Sequence, residues 1–277
     1  GSACFRLDAH VRRLYDSAKI YRMSYEAAPA AFERAIVDTI RGNDLKACYI
    51  RPIIYRGYRS LGVNPLPCPV DAAIIVWQWD AYLGDDAAQH GVDVCVSSWR
   101  RVAPDTFPAM AKSGANYASS ALIKMEAMSE NYAEAIALDT HGYVSEGSGQ
   151  NVFVVRDGVI YTPPIAAAVL PGITRDSIIT IARDLGYRVR EQMLPRELLY
   201  LADEVFFAGT AVEIVPVRTI DRLTVGAGTK GPITAALEKR FFDIINGRVP
   251  DTYGWLTYLE GPAAPAASTT ARSARSS

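Results

Sequence analysis

The sequence predicts an α/β protein, built as a small α+β lobe over residues 1–83, a larger α/β lobe over 84–260 and a disordered tail over 261–277. Three observations carry this. Of the 277 residues, 49% are hydrophobic, which is enough for one large core or two modest ones. The hydrophobic patterning lapses across Asp80-Ala81-Tyr82-Leu83-Gly84-Asp85-Asp86, which reads as a link between two lobes. Beyond that link, apolar runs of strand length alternate with stretches of helical period.

In the first lobe, Phe32, Ala35, Ile36 and Ile40 recur at helical spacing and Gly42-Asn43 ends the run, so a first helix is expected over Ala31–Ile40. Lys46–Tyr55 and Ala72–Trp79 read as strands, the second almost continuously apolar, with Gly62-Val63-Asn64-Pro65 turning between them. In the second lobe the spacing predicts a helix over Tyr117–Asn131 and a strand over Ala135–Leu138. A hairpin follows, in which Asp157-Gly158 joins Val152–Val155 to Val159–Tyr161. A helix begins at Thr174 and stops at Gly186, strands cover Val189–Met193 and Val205–Ala208, and Pro232–Ile245 is a helix opened by proline. From Gly261 onward, Ala, Pro, Ser, Thr and Arg leave almost nothing to bury.

The charge balance narrows the function. With 29 basic and 30 acidic residues the net charge is −1, so no broad field exists to recruit nucleic acid or an anionic membrane, and the expected partners are small molecules. No apolar run reaches the ~20 residues of a membrane helix and the first residues do not read as a signal peptide, which gives a cytoplasmic expectation. Cys4, Cys48, Cys68 and Cys95 form no metal or redox pair and read as reduced thiols. His10, His90 and His141 lie on separate segments, read as structural or solvent-facing, and suggest no metal.

Three segments hold the candidate chemistry. In Leu170-Pro171-Gly172-Ile173-Thr174-Arg175-Asp176 a glycine turn leads into a helix with Thr174 as N-cap, and the free amides of such a start suit a phosphate, although most helix starts bind nothing. Ser145-Glu146-Gly147-Ser148-Gly149-Gln150-Asn151 places an acid in a tight turn between strands, where the glycines read as supplying positive φ. Met110-Ala111-Lys112-Ser113-Gly114-Ala115-Asn116-Tyr117 sets a lone lysine before a helix. Each alone is ordinary. Together they provide an amine, an acid and a phosphate cradle, the needs of a pyridoxal phosphate site.

With those residues in view, the chain resembles the branched-chain amino-acid aminotransferases, pyridoxal-phosphate enzymes of fold-type IV with the D-amino-acid-aminotransferase-like fold. The resemblance runs from Phe5 to about Leu256, through Asp16-Ser17-Ala18-Lys19-Ile20-Tyr21-Arg22, Tyr49-Ile50-Arg51-Pro52, Ala111-Lys112, Asn116-Tyr117, Ser145-Glu146-Gly147, the 170–176 segment and Gly209-Thr210-Ala211. It implies that Lys112 is the Schiff-base lysine, that Tyr117 lies by the phenolic oxygen of pyridoxal 5'-phosphate and that Glu146 pairs with its pyridine nitrogen. By the same likeness Arg13, Gly172, Ile173, Thr174, Gly209 and Thr210 hold the phosphate, and Gly149 and Leu170 line the ring. Tyr49 and the Thr210-Ala211 turn would take the α-carboxylate, Arg51 the second carboxylate of glutamate, and Trp79 and Tyr82 would wall an apolar pocket.

What the resemblance implies is transamination of leucine, isoleucine or valine with 2-oxoglutarate by a homodimer. D-amino-acid aminotransferases and aminodeoxychorismate lyases would share the lysine, the glutamate and the cradle, and an inactive cofactor-binding chain is the third reading. Members of the family usually carry several strands before the region matching Phe5, so the first lobe is expected to be N-terminally incomplete. Asp80, Gln150 and Val212 stand where glycine, glutamate and alanine are common in the family, which bears on the side-chain preference.

Overall fold

The computed structural model of the chain describes residues 2–79, 83 and 86–259. The expected link over 80–86, with Tyr82 in it, falls largely outside them, as does the expected tail over 261–277. Strand β1 (Ala3–Phe5) leads into helix α1 (Leu7–Ile20), followed by α2 (Pro29–Gly42). The helix expected at Ala31–Ile40 is therefore the second. Helix α1 carries five charged residues, and its buried positions are Leu7, Val11, Ser17 and Ala18, so a polar residue interrupts its inward stripe.

Strands β2 (Tyr49–Arg56) and β3 (Val70–Trp77) pair as an antiparallel ribbon, with Tyr49 opposite Trp77 and Arg51 opposite Ile75. The first strand starts three residues later than expected and ends one later, and the second lies two residues earlier, so Trp79 lies beyond the strand end and is 40% exposed. Helices α1 and α2 pack on this ribbon through Leu7, Val11, Phe32, Ile36 and Ile40, and Leu259 joins them from the other end of the described chain.

After the short helix α3 (Ala87–His90), the rest is organised on one nine-stranded sheet. Its strands are β4 (Val92–Arg100), β5 (Glu134–Leu138), β6 (Val144–Gly147), β7 (Asn151–Arg156), β8 (Val159–Thr162), β9 (Arg188–Glu191), β10 (Glu204–Gly209), β11 (Glu213–Ile220) and β12 (Leu223–Thr224). They run in the order β6-β5-β4-β11-β10-β7-β8-β9, with β12 on β11, and β4 pairs in parallel with both β5 and β11. Two short strands close the chain ends together, since β13 (Leu256–Tyr258) pairs with β1.

Strand alternation divides the core. Val152, Val154, Val205 and Phe207 point to one face of the sheet, with Val92, Val94 and Leu199. Phe153, Val155, Phe206 and Ala208 point to the other, where they meet helices α5 (Ile173–Asp184) and α6 (Pro232–Ile245). Phe153 and Phe206 stack across β7 and β10 with centroids 4.9 Å apart. Helix α4 (Asn116–Ser129) covers β4 and β5 through Ile123 and Ala127 against Cys95, Ala135 and Ala137. The start of α6 is capped from the sheet: Glu204 accepts from the amides of Ile233 and Thr234, and only a glycine at 231 leaves room for that carboxylate.

The Asp157-Gly158 hairpin turn has φ of 50° and 70° at its two residues, as a type I′ turn requires. All four cysteines are free thiols. Among the described residues no helix is long and apolar enough to cross a membrane, and no group of three or more candidate ligands could hold a metal. Phe207 is fully buried where β10 meets the inner core. Phe207→Ala is expected to cost about 3–5 kcal/mol, read as a lowered midpoint in urea unfolding.

Candidate active site

The loop between β4 and α4 holds Lys112 by its backbone and leaves its side chain exposed. Asn116, the first residue of α4, donates from Nδ2 to the carbonyls of Pro108 (3.1 Å) and Ala111 (3.0 Å). From the other side, Ser17 Oγ on α1 accepts the Lys112 amide at 3.0 Å. The Lys112 Nζ donates to the hydroxyl of Tyr117, one turn along, and sits 5.0 Å from that ring's centroid. An amine so placed is accessible and has a phenol beside it.

Glu146 is not in a turn. It lies in β6, only Ser148, Gly149 and Gln150 connect that strand to β7, and neither Gly147 nor Gly149 adopts positive φ. The carboxylate is 5% exposed, and Arg101, itself 5% exposed and just past β4, pairs with its Oε1 at 2.8 Å. Asn151 Nδ2 (3.0 Å) and the Leu170 amide (3.1 Å) donate to its Oε2. Burial pushes the Glu146 carboxyl up to about 7, opposed by Arg101, the Leu170 amide and the positive charge of Lys112. Oε1 keeps a lone pair for a further donor.

The third element begins at Gly172, which takes the N-cap position in place of Thr174; Ile173 and Thr174 are the first two residues of α5 and are buried. No side chain caps this start, so its amides remain available to an anion. A Cβ at 172 would lie 1.9 Å from Asn151 Oδ1, so glycine is required for the turn to pass the side chain that holds Glu146. Arg13, half-buried on α1, reaches the same turn and donates to the Pro171 carbonyl at 3.3 Å. Its burial lowers its pKa from the ordinary value, partly offset by the phenols of Tyr117 and Tyr49.

The substrate-side residues form a second group. Arg51 lies 5.2 Å from the ring centroid of Trp77, 5.7 Å from that of Tyr49 and 6.0 Å from that of Trp79, and the three rings pack on one another. Gly209 ends β10 beside Gln150, so the Thr210-Ala211 turn leaves the sheet next to the Glu146 loop. Thr210 is exposed and Ala211 half-buried, and Gly149 has open space where a Cβ would be. Tyr82 lies outside the described residues.

An exposed amine with a phenol, a buried carboxylate with spare acceptor capacity, and an uncapped helix start with an arginine beside it fit pyridoxal phosphate. The amino-transferase class IV family matches residues 1–220. The chain belongs to the class IV aminotransferases. Class IV aminotransferases depend on pyridoxal 5'-phosphate. Over 257 residues this one is 50% identical to the branched-chain-amino-acid aminotransferase of Escherichia coli strain K12, covering 92% of the chain and 83% of that protein. Its fold matches the crystal structure of the Escherichia coli enzyme with a TM-score of 0.91 at 49% identity, over 93% of this chain and 85% of that one. The crystal structure of a T.th. branched-chain amino acid aminotransferase with pyridoxamine 5'-phosphate matches with a TM-score of 0.89 at 48% identity, over 93% and 85%.

Sequence reasoning missed Arg101, Asn151, Asn116, Ser17 and His10. Arg101 directly follows β4 (Val92–Arg100), a strand that the sequence reading did not assign. His10, read as structural or solvent-facing, lies half-buried by Arg13, Lys112 and Arg6, and burial with those charges pushes its pKa down to about 3. It therefore stays neutral in this class IV aminotransferase. Between pH 6.5 and 3 the unfolded chain takes up a proton there that the folded one refuses, so His10 costs stability as pH falls through that window.

Glu146 acts in the opposite sense. Between pH 4.5 and 7 its folded carboxyl keeps a proton that the unfolded one releases, so its burial costs stability as pH rises. Removing Arg101 leaves that charge uncompensated. Arg101→Gln is expected to lose about 3–5 kcal/mol at pH 8 and clearly less at pH 5, measured by urea unfolding of the cofactor-free protein.

Proposed function

We propose that the protein transfers the amino group of leucine, isoleucine or valine to 2-oxoglutarate, giving branched 2-oxo acids and glutamate. The observation that carries this is the convergence of Lys112, Tyr117, Glu146 and the α5 start in a chain half-identical to a branched-chain-amino-acid aminotransferase. The same similarity favours this reading over a D-amino-acid aminotransferase, an aminodeoxychorismate lyase or an inactive chain. The neighbour solved with pyridoxamine 5'-phosphate supports the cofactor assignment.

When bound, pyridoxal phosphate supplies an electron sink for charge that develops at the substrate Cα. The chain's residues do the rest. Arg13 and the amides of Ile173 and Thr174 bind the phosphate, with Gly172, Gly209 and Thr210 shaping its seat. Lys112 would hold the cofactor, and its Nζ is the base that would take the proton from the substrate Cα. Tyr117 would face the cofactor's phenolic oxygen, Glu146 would pair with its ring nitrogen and keep it protonated, and Gly149 and Leu170 would line the ring. Tyr49 and the Thr210-Ala211 turn receive the α-carboxylate.

The aromatic group around Arg51 supports the dual specificity. Trp79, Trp77 and Tyr49 offer apolar surface to a branched side chain, while the guanidinium over them is available to the second carboxylate of glutamate. We read the chain as two lobes, 1–83 and 84–260, with the cofactor in the cleft between them. A homodimer and a cytoplasmic address complete the reading; exposed Leu122, Met125 and Met128 along α4 are consistent with a partner copy.

The purified protein with added pyridoxal phosphate should show the absorbance band of a lysine-bound cofactor and should lose it in Lys112→Ala. No band in the parent protein would overturn the cofactor site, and turnover of D-alanine with none of L-leucine would overturn the substrate assignment. Arg51→Gln is expected to raise KM for glutamate at least tenfold and to change that for leucine by less than about threefold, in steady-state assays of both half-reactions.

A further inference from the structure

Helix α1 faces the cofactor-binding elements along one narrow stripe. At 100° per residue, Arg6, His10, Arg13 and Ser17 fall within an arc of about 60° around the helix. Arg6 pairs with Asp176 on α5 and donates to Ser177 Oγ at 3.0 Å, and Arg13 donates to the Pro171 carbonyl just before α5. At the end of the stripe is Ser17, 6% exposed. Its hydroxyl donates to the Arg13 carbonyl at 2.7 Å and accepts the Lys112 amide, 95 residues away in sequence, at 3.0 Å.

The first of these bonds is ordinary, since serines inside helices commonly donate to the carbonyl one turn back. The second is not local. One oxygen joins the backbone of the arginine by the phosphate seat to the backbone of the lysine that must reach the cofactor's aldehyde carbon. The other long-range side-chain bonds from this stripe, those of Arg6 and Arg13, go to α5 and its approach and not to the Lys112 loop. A serine hydroxyl has one proton and two acceptor positions, so both bonds of Ser17 are met at once.

We propose that Ser17 is a positioning residue that sets the distance between the phosphate seat and Lys112, so that a cofactor anchored by its phosphate presents its aldehyde carbon to the amine. The inference rests on the proposed roles of Lys112 and Arg13. It has a specific consequence. Pyridoxal phosphate and pyridoxamine phosphate share the phosphate and ring contacts, but only the former bonds covalently to the lysine, losing its aldehyde oxygen as water. Loss of the Ser17 link therefore weakens pyridoxal phosphate selectively, whereas a role in packing alone weakens both alike.

The test is to titrate the purified cofactor-free protein and its Ser17→Ala variant with each cofactor form, following absorbance and intrinsic fluorescence. The expected result is about a tenfold loss of affinity for pyridoxal phosphate with less than a threefold loss for pyridoxamine phosphate. Equal losses, or no loss, would overturn the role of Ser17. Should Ser17→Ala not fold, Ser17→Cys keeps the volume and replaces a strong acceptor by a weak one; a selective loss supports the proposal and an equal loss or none overturns it. Lys112→Ala separates the two levels. A parent protein without a lysine-bound band removes the site reading and this inference together, whereas a band that Lys112→Ala abolishes, combined with equal losses in the Ser17 variants, removes this inference alone.

Discussion

A buried carboxylate organises this structure. Glu146 is held from three parts of the chain, by Arg101 after β4, by Asn151 at the start of β7 and by the Leu170 amide on the approach to α5. Taking an ion pair out of water is expensive, and it is sustained only where the remaining hydrogen-bonding capacity is met with good geometry. That demand propagates outward: Asn151 must point at Glu146, so the turn at 172 must be glycine, so α5 must start where it does.

The sheet makes the arrangement possible by separating its tasks. Its strands fill both faces with Val, Ile and Phe, and the polar residues sit at strand ends and in the loops that follow. Arg101, Glu146, Asn151 and Gly209 all lie within one residue of a strand terminus. The apolar middle fixes these ends, and the connections are short enough to inherit that precision. Helix α1 then closes the site from outside the sheet, through side chains that reach across to α5 and the Lys112 loop.

Much of this was legible in the sequence for physical reasons that differ by element. The strand pairs around Asp157-Gly158 and the helix opened by Pro232 announce themselves because local patterning and turn chemistry agree. Glu146 was identifiable as chemistry but misplaced as structure, because glycines on both sides of Ser148 suggest a turn that the β6 pairing with β5 extends past. Thr174 resembled a cap, yet it lies inside the helix, since Gly172 supplies the extended backbone there. Arg101 and Ser17 were invisible as partners because their bonds to Glu146 and Lys112 join distant parts of the chain, whereas Asn151 lies five residues from Glu146, in the same quoted segment, and was given no role.

Lys112 combines a preceding peptide held at both its carbonyl and its amide with a side chain open to solvent. In the proposed role this amine is a tethered competitor of the incoming amino acid. Its effective concentration at the cofactor is set by four rotatable bonds and not by anything dissolved in the cell. When an amino-acid product is formed, the returning lysine would displace it, the bond to Lys112 forming as the bond to the product amine breaks. In that role the exposed side chain would be free to give way to substrate, and the held backbone would keep the amine within reach of the cofactor.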